Sequence, residues 1–571
     1  MKIPPLYGKG AKFFPWVILA AILAAFVGYA RSLHPENNFG RYHDDTVYFS
    51  AARALAAGQG YTLPSLPAPG AVAAPQSKYP SLYPWLLSWV WRWKPLFPQN
   101  VRLALQLTLL FACWFLIASF CWLRAWLGEW AALVCVALTA LHPHFLALSG
   151  AVLSEVPFMA LAMTAIAWHD LVSENERIWA PLGIGLLAGA AAGIRSVGAA
   201  VVLGLAAAAV SRKRYRHAVL ICLAAAPVVA ATLPAGSIVL PGGAAASLGW
   251  RQTWLYYTSY WAFWKLSVPS WPVFREMVQS NVKDLLVTPA SQCLFPPPAA
   301  LGPFGGALLC IVLTAGIAAG IIRKARRQGW QSIHWVLLFY LPVTLVWNYP
   351  IMSRFLVPFL PLFYAGAWME GVHLASMVRK TLGQGGELAE KIIAGLIAAG
   401  LAGTACAAAA AYMNDSRARL REDGKQRAAL QKQKAEAYHW ITTHTGTSAK
   451  ILASEDICLY LYTGRQAVWP LAFTTAPFYE TDTRDLQQQL DHWTDVGRTI
   501  GARYWLAVDG DYYIEAVSPL VRDKMAASQA ALPEVFRSSA GAVRVYDLSS
   551  WQADFGGPRR FSLSRPAVNP D

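Results

Sequence analysis

The chain has 571 residues, of which 56% are hydrophobic and only 14% charged, with 25 Trp, 23 Tyr and 24 Phe. Together with a mean hydropathy of +0.35, this composition excludes an ordinary soluble enzyme and describes a polytopic membrane protein with aromatic residues at the water interface. The formal net charge of +16 comes from 48 Lys+Arg against 32 Asp+Glu; much of it falls in short clusters beside apolar runs, which argues for membrane lipids and phosphates as partners and against nucleic acid.

Lys9 and Lys12 precede a first apolar run, Phe13 to Ala30, read as a retained span that starts in the cytoplasm. Residues 31–100 then form a large external loop. Within it a short helix is predicted from Thr46 to Ala57, ended by Gly58, Gly60 and the Pro/Ala run 64–75. A second helix starts near Ser81 and carries Trp85, Trp89 and Trp93 as one stripe suited to headgroup depth.

Further spans are predicted at 101–122, 130–148, 152–169, 180–194, 197–210, 217–235, 303–322, 331–350, 354–372 and 391–412. The total is about eleven, several near the ~20 residues that cross a ~30 Å hydrocarbon core. The 180–210 stretch is short and Gly/Ala-rich, and two passes there place the clusters Arg212–Arg216, Arg323–Arg327 and Arg379-Lys380 all in the cytoplasm. The same topology puts loops 31–100 and 236–302, the junction near Ser154 and the C-terminal region on one external face. Loop 236–302 is rich in aromatics, and Trp250, Trp254 and Trp261 are expected to share one helical face, either lying on the membrane or walling a lipid or sugar site.

After residue 412 the composition changes. A charged helix is expected over 413–440, followed by strands at 450–454, 504–508 and 543–548 and a helix at 485–496. The expected architecture is therefore a transmembrane domain over 1–412 and a small extracytoplasmic α/β domain within 413–571. Neither a Gly-rich phosphate loop nor a metal-ligand cysteine spacing is present in the sequence.

The polar residues that this topology gathers at the external mouth are His43, Asp44, Asp45, Lys78, Tyr79, His142, His144, Ser154, Glu155, Arg195, Asn348, Tyr349 and Arg354. Acids beside a bilayer are costly unless they pair, bind or react. Helix capping is the plain alternative for Asp44 or Asp45 and for Glu155, and snorkelling for Arg195. A partly desolvated carboxylate at such a rim can take a proton from a hydroxyl, and Lys or Arg beside it can stabilise a departing phosphate. A divalent metal stays open, with His142 and His144 flanking Pro143 as its candidates and no third ligand fixed.

The pattern His43-Asp44-Asp45-x-x-Tyr48-Phe49-x-Ala51-Ala52-x-x-Leu55-Ala56-x-Gly58-x-Gly60-Tyr61 resembles the first external loop of the GT-C superfamily of polytopic glycosyltransferases. Lys78-Tyr79-Pro80-Ser81-Leu82-Tyr83-Pro84, Ser154-Glu155-Val156-Pro157-Phe158, Gly193-Ile194-Arg195 and Arg354-Phe355-Leu356-Val357-Pro358-Phe359-Leu360-Pro361 are similar to later motifs of its branch of lipid A aminoarabinose, protein O-mannosyl and rhizobial core transferases. Ser81 departs from that pattern, where many relatives carry a second proline.

The resemblance implies a GT-C fold and an inverting transfer of sugar from a polyprenyl-phosphate donor to an envelope glycan, lipid or protein, at the outer face of a bacterial inner membrane. It implies Asp44 as the base, with Asp45 as second carboxylate and Glu155 shaping the cavity by orienting the acceptor or Lys78. Lys78, Arg195 and Arg354 are the implied phosphate ligands; His43, Tyr48, Tyr79 and Tyr349 complete the substrate-contacting set. The rival classes are a transporter or flippase for a lipid-linked substrate, disfavoured by spans nearly free of interior charge, and a glycan ligase.

Overall fold

The protein is described by a computed structural model covering residues 13–33, 35–68, 73–171, 178–232, 248–268, 270–293, 302–349, 353–383, 388–479, 484–509 and 518–550. Helix α1 (Phe14–Ser32) leads into the external loop with α2 (Asp44–Ala56) and α3 (Leu82–Trp93). Then come α4 (Val101–Leu127), α5 (Glu129–Leu141), α6 (Pro143–Ser149), α7 (Glu155–Leu171), α8 (Trp179–Ile194), α9 (Ala199–Ser211) and α10 (Tyr215–Thr232). Three helices of the second long loop follow, α11 (Leu248–Thr258), α12 (Tyr260–Ser267) and α13 (Trp271–Cys293), before α14 (Gly302–Gln328), α15 (Ser332–Leu345), α16 (Leu360–Gly383) and α17 (Leu388–His444).

Each predicted span overlaps helix among the described residues. Of these helices, α1, α4, α10 and α14 have the length and apolarity to cross a membrane singly, and α5 with α6 meets the same measure only as a pair bent by 64°. The bend corrects the straight span expected over 130–148. Pro143 holds the preceding His142 extended (φ −67°, ψ 129°), so the helix stops and restarts there.

The expected break within 180–210 is present: Arg195 is extended (φ −140°, ψ 130°) between α8 and α9. The glycines of α8 have a packing reason. A Cβ on Gly185 would lie 2.5 Å from the Ile221 carbonyl oxygen of α10, and one on Gly189 would lie 2.9 Å from Ala225 Cα. These two helices touch backbone to backbone. On the side carrying the basic clusters, Asp170 accepts from Trp122 Nε1, Arg212 Nη2 and the Ser332 amide and hydroxyl, fastening α4, α7 and α15 to the turn after α9.

The 236–302 loop is largely helical where described; residues 236–247 and 294–301 lie outside the described residues. Trp250 and Trp254 are buried, as a shared face requires, but Trp261 is 63% exposed. The chain breaks at Ser259, whose side chain caps α12 by accepting from the Ala262 amide, and this turns Trp261 onto a different face.

Beyond α17 the chain forms a five-stranded sheet from β3 (Lys450–Ala453), β4 (Gln466–Val468), β5 (Tyr504–Val508), β6 (Glu534–Arg537) and β7 (Val543–Asp547), in the order β4-β3-β5-β7-β6. A short ribbon, β1 (Thr62–Leu63) with β2 (Ala74–Pro75), lies in the first loop. β3 is parallel to β4 and β5, while β7 is antiparallel to β5 and β6. Strands β4 and β6 and the helix α18 (Asp456–Thr463) were not foreseen, and the helix expected at 485–496 is two pieces, Arg484–Asp491 and Trp493–Ile500. The boundary expected at residue 412 falls inside the 57-residue α17, which runs unbroken from the apolar stretch into the C-terminal domain.

Candidate active site

Between the helical ends and the C-terminal domain lies a cavity of about 600 Å³. Its lining includes Asp44, Tyr48, Lys78, Tyr79, Arg195, Tyr349 and Arg354 of the predicted set, so the structure brings together residues from four of the five motifs and Tyr349. His43, Asp45 and Glu155 are not on its wall.

The two adjacent aspartates have different environments because successive residues on a helix project about 100° apart. Asp45 is fully buried and accepts from the Gly40 amide at 2.8 Å and the Thr46 amide at 2.9 Å. Burial pushes its carboxyl up to about 7, against those two hydrogen bonds. Asp45 thus closes the loop before α2 from inside the first turn, while His43 at the N-cap position makes no side-chain cap. Asp44 faces the cavity. Its Oδ1 accepts from the Tyr79 hydroxyl at 2.6 Å and its Oδ2 from Arg354 Nη2 at 3.2 Å. Burial raises its carboxyl, but Arg354, Lys78 and the Tyr79 hydroxyl together hold it below the ordinary value, ionised at neutral pH.

The backbone at this point is unusual. His43, the residue before Asp44, has φ 56° and ψ −44°, and the Asp44 amide donates to the Tyr42 carbonyl at 2.5 Å. That is a γ-turn of the strained hand, and a non-glycine residue held there costs about 1–3 kcal/mol. The His43 ring turns away from the cavity toward α18. Its Nε2 lies 3.3 Å from Asp456 Oδ1 and 3.2 Å from the Tyr257 hydroxyl. The imidazole is 3% exposed and walled by protein.

Lys78 follows the β1–β2 ribbon, its amide donating to Gln76 Oε1 at 2.7 Å. The ammonium sits 3.5 Å from the Tyr256 ring centroid and 5.0 Å from that of Tyr79, a cation between two aromatic faces. Burial, opposed by Asp44, pushes it down to about 8.

Glu155, at the first turn of α7, stands behind the two arginines. Arg195 Nη1 lies 2.7 Å and Arg354 Nε 3.6 Å from its Oε1. Its carboxylate thus faces the two guanidinium groups. Arg195 also donates to Ser154 Oγ at 3.1 Å, which meets the Tyr48 hydroxyl at 3.0 Å. Tyr349 donates to the Phe473 carbonyl at 3.2 Å and meets the Phe478 ring edge-on. His142 and His144 lie with ring centroids 5.5 Å apart, and among the described residues no group of three His, Cys, Asp or Glu could hold a metal ion.

The C-terminal domain supplies lining residues that sequence reasoning missed: Trp469, Pro470, Leu471, Phe473, Val521 and Met525. Trp469 stacks on Tyr256 at 5.1 Å and 19°. The aromatic density of 250–264 pointed to Tyr256 and Tyr260; Trp469 follows the three-residue β4, too short to signal itself. One carboxylate, Asp44, and five cations, Arg41, Lys78, Arg195, Arg354 and Arg427, line the cavity. Such an excess suits an anion beside an ionised acid.

No protein-family model and no curated protein matches the chain. Among solved structures, it is similar to the oligosaccharyltransferase of Archaeoglobus fulgidus in its apo form, with a TM-score of 0.51 and 12% identity over 87% of this chain and 70% of that one. The same archaeal enzyme tethered to an acceptor peptide gives a TM-score of 0.50 and 10% identity over 95% and 74%. ArnT from Cupriavidus metallidurans bound to undecaprenyl phosphate covers 94% and 98%, at 13% identity and a TM-score of 0.47. At such identities the likeness to the archaeal oligosaccharyltransferase is one of fold alone.

Proposed function

We propose that the protein is an inverting glycosyltransferase that moves a sugar from a polyprenyl-phosphate donor to a hydroxyl of an extracytoplasmic lipid, glycan or protein. Asp44 is the base. It takes the acceptor's proton as the acceptor oxygen bonds to the anomeric carbon and the bond from that carbon to the phosphate oxygen breaks. The polyprenyl phosphate leaves with one more negative charge than the donor carried.

The observation that supports this most is the 3.2 Å contact between Arg354 and Asp44 in a largely aromatic cavity whose other charged lining residues are cations. During the reaction the negative charge passes from Asp44 to the phosphate. Arg354, already beside the carboxylate, loses its partner as Asp44 is protonated and is released toward the leaving group, with Lys78 and Arg195 adding to the field. Tyr48, Tyr79 and Tyr349 bound the space where donor and acceptor meet. The stacked Tyr256–Trp469 pair offers the apolar face that sugar rings pack against. Residues 1–412 form the catalytic membrane domain in this reading. The basic clusters beside the apolar runs support a reading in which the cavity and the domain within 413–571 face outward from a bacterial inner membrane.

The test is transfer from a panel of synthetic polyprenyl-phosphate sugars to extracted envelope lipids and glycans, with wild type beside Asp44→Asn. Transfer by wild type that collapses in the variant, while donor binding persists, supports the class and the base together. Donor binding with no transfer by wild type, and with binding untouched by Asp44→Asn, would return the protein to the transporter class.

A further inference from the structure

The turn at His43 is strained for a residue with a Cβ, and no side-chain bond at the N-cap position of α2 holds it. What holds the turn is on another domain. Asp456, 1% exposed at the first position of α18, accepts from the Tyr257 hydroxyl at 2.6 Å and from the Ile457 amide at 2.7 Å, and lies 3.3 Å from His43 Nε2. Trp469 closes the other side of the imidazole, with ring centroids 4.5 Å apart. Three distant parts of the chain, the first loop, α11 and the external domain, therefore meet on one ring. None of His43, Tyr257 and Asp456 lines the cavity, so none reaches substrate directly.

We propose that Asp456 is a positioning residue: by gripping His43 it keeps the turn that aims Asp44 at Arg354 and Tyr79, so that the external domain belongs to the catalytic apparatus. This rests on the assignment of Asp44 as base. Were the turn at His43 to relax into an ordinary conformation, the chain direction into α2 would change, and the Asp44 carboxylate would leave both partners. The loop is also fastened by the Asp45 bonds to the Gly40 and Thr46 amides, which makes those two amides reporters of the turn.

The experiment uses the full chain in detergent micelles, as wild type, Asp456→Ala, the isosteric Asp456→Asn, His43→Gly, and His43→Gly with Asp456→Ala. Amide hydrogen exchange over 39–50 is read first. About tenfold faster exchange confined to that segment is expected for both single Asp456 variants, and less than about twofold further change when Asp456→Ala is added to His43→Gly, where the handle is already gone. The pH dependence of kcat/KM for sugar transfer is read second. Asp44 is faced by Arg354, Lys78, Tyr79 and His43, and its loss of Arg354 and Tyr79 moves the acid limb to higher pH. A merely structural contact would lower the active fraction and leave that limb in place.

Wild-type exchange in 39–50, an increase spread evenly over the chain, an acid limb that does not move in an active variant, or a full Asp456→Ala effect on top of His43→Gly would each overturn the proposal. If no form transfers any sugar, the glycosyltransferase reading fails by itself, and the exchange data still decide whether Asp456 holds the turn.

Discussion

Arg354 reaches Asp44 across 310 positions of sequence, Nη2 to Oδ2, at 3.2 Å. One guanidinium thus balances the proposed base and borders the space open to a phosphate. Replacing Asp44 by Asn removes both the proton acceptor and the charge that occupies Arg354. Transfer is expected to fall by about 10²–10⁴-fold, the usual yield of a positioned base. Affinity for a polyprenyl phosphate should hold or tighten, because Arg354 is freed; calorimetric or fluorescence titration in micelles checks this.

Lys78 should set an alkaline limit on donor binding. Burial lowers its ammonium to about 8, so its charge is present below that pH and lost above it. Donor affinity is expected to weaken as pH rises through about 8, and a bound phosphate, by favouring the charged form, should move the midpoint upward. In Lys78→Met the weakening across that window should vanish. A binding curve for wild type that is flat from pH 7 to 9 would remove Lys78 from the phosphate site.

Asp45 makes a separate prediction about stability. Its folded carboxyl is raised to about 7, above the ~3.9 of an unfolded chain. Between those values the folded state binds more protons, so the contribution of Asp45 is full at low pH and is lost as pH rises through 7. The slope is roughly 1 kcal/mol per pH unit. Thermal unfolding of Asp45→Asn between pH 4 and 7 should lack that slope, although the variant loses one of the two acceptors for the Gly40 and Thr46 amides.

Glu155 balances two arginines at a buried position, and removing one member of such a group leaves the others uncompensated. Glu155→Gln should cost roughly 3–5 kcal/mol of stability. Adding Arg195→Met should restore part of it, since a neutralised partner no longer needs the acid. Additive losses in the double variant, read by thermal unfolding, would mean that the 2.7 Å Arg195–Glu155 contact carries little coupling.

Much of the site was legible in the sequence because its chemistry is linear. Asp44, Lys78, Arg195 and Arg354 each stand next to a span end or in the first loop, and a chain poor in charge makes such residues conspicuous. What stayed hidden depends on backbone angles and on long-range contacts. Nothing in His43-Asp44-Asp45 says which acid faces the cavity; the φ of His43 decides it. Asp456 reads as an ordinary first residue of a helix, and only the folded chain places it against an imidazole from the first loop. Trp261 failed to join Trp250 and Trp254 because Ser259 restarts the helix. The bend at Pro143 was written in the proline, but a hydropathy window averages over it.

The long helix α17 has a mechanical consequence. At about 1.5 Å per residue, its 57 residues make a rod of roughly 85 Å, and a rod transmits angle as well as height. The external domain is therefore indexed to the membrane like a key on a shaft. One residue inserted near position 413 would twist the domain by about 100° and swing Trp469 and Phe473 off the cavity, whereas seven residues, close to two full turns, would nearly restore the angle while lifting the domain about 10 Å.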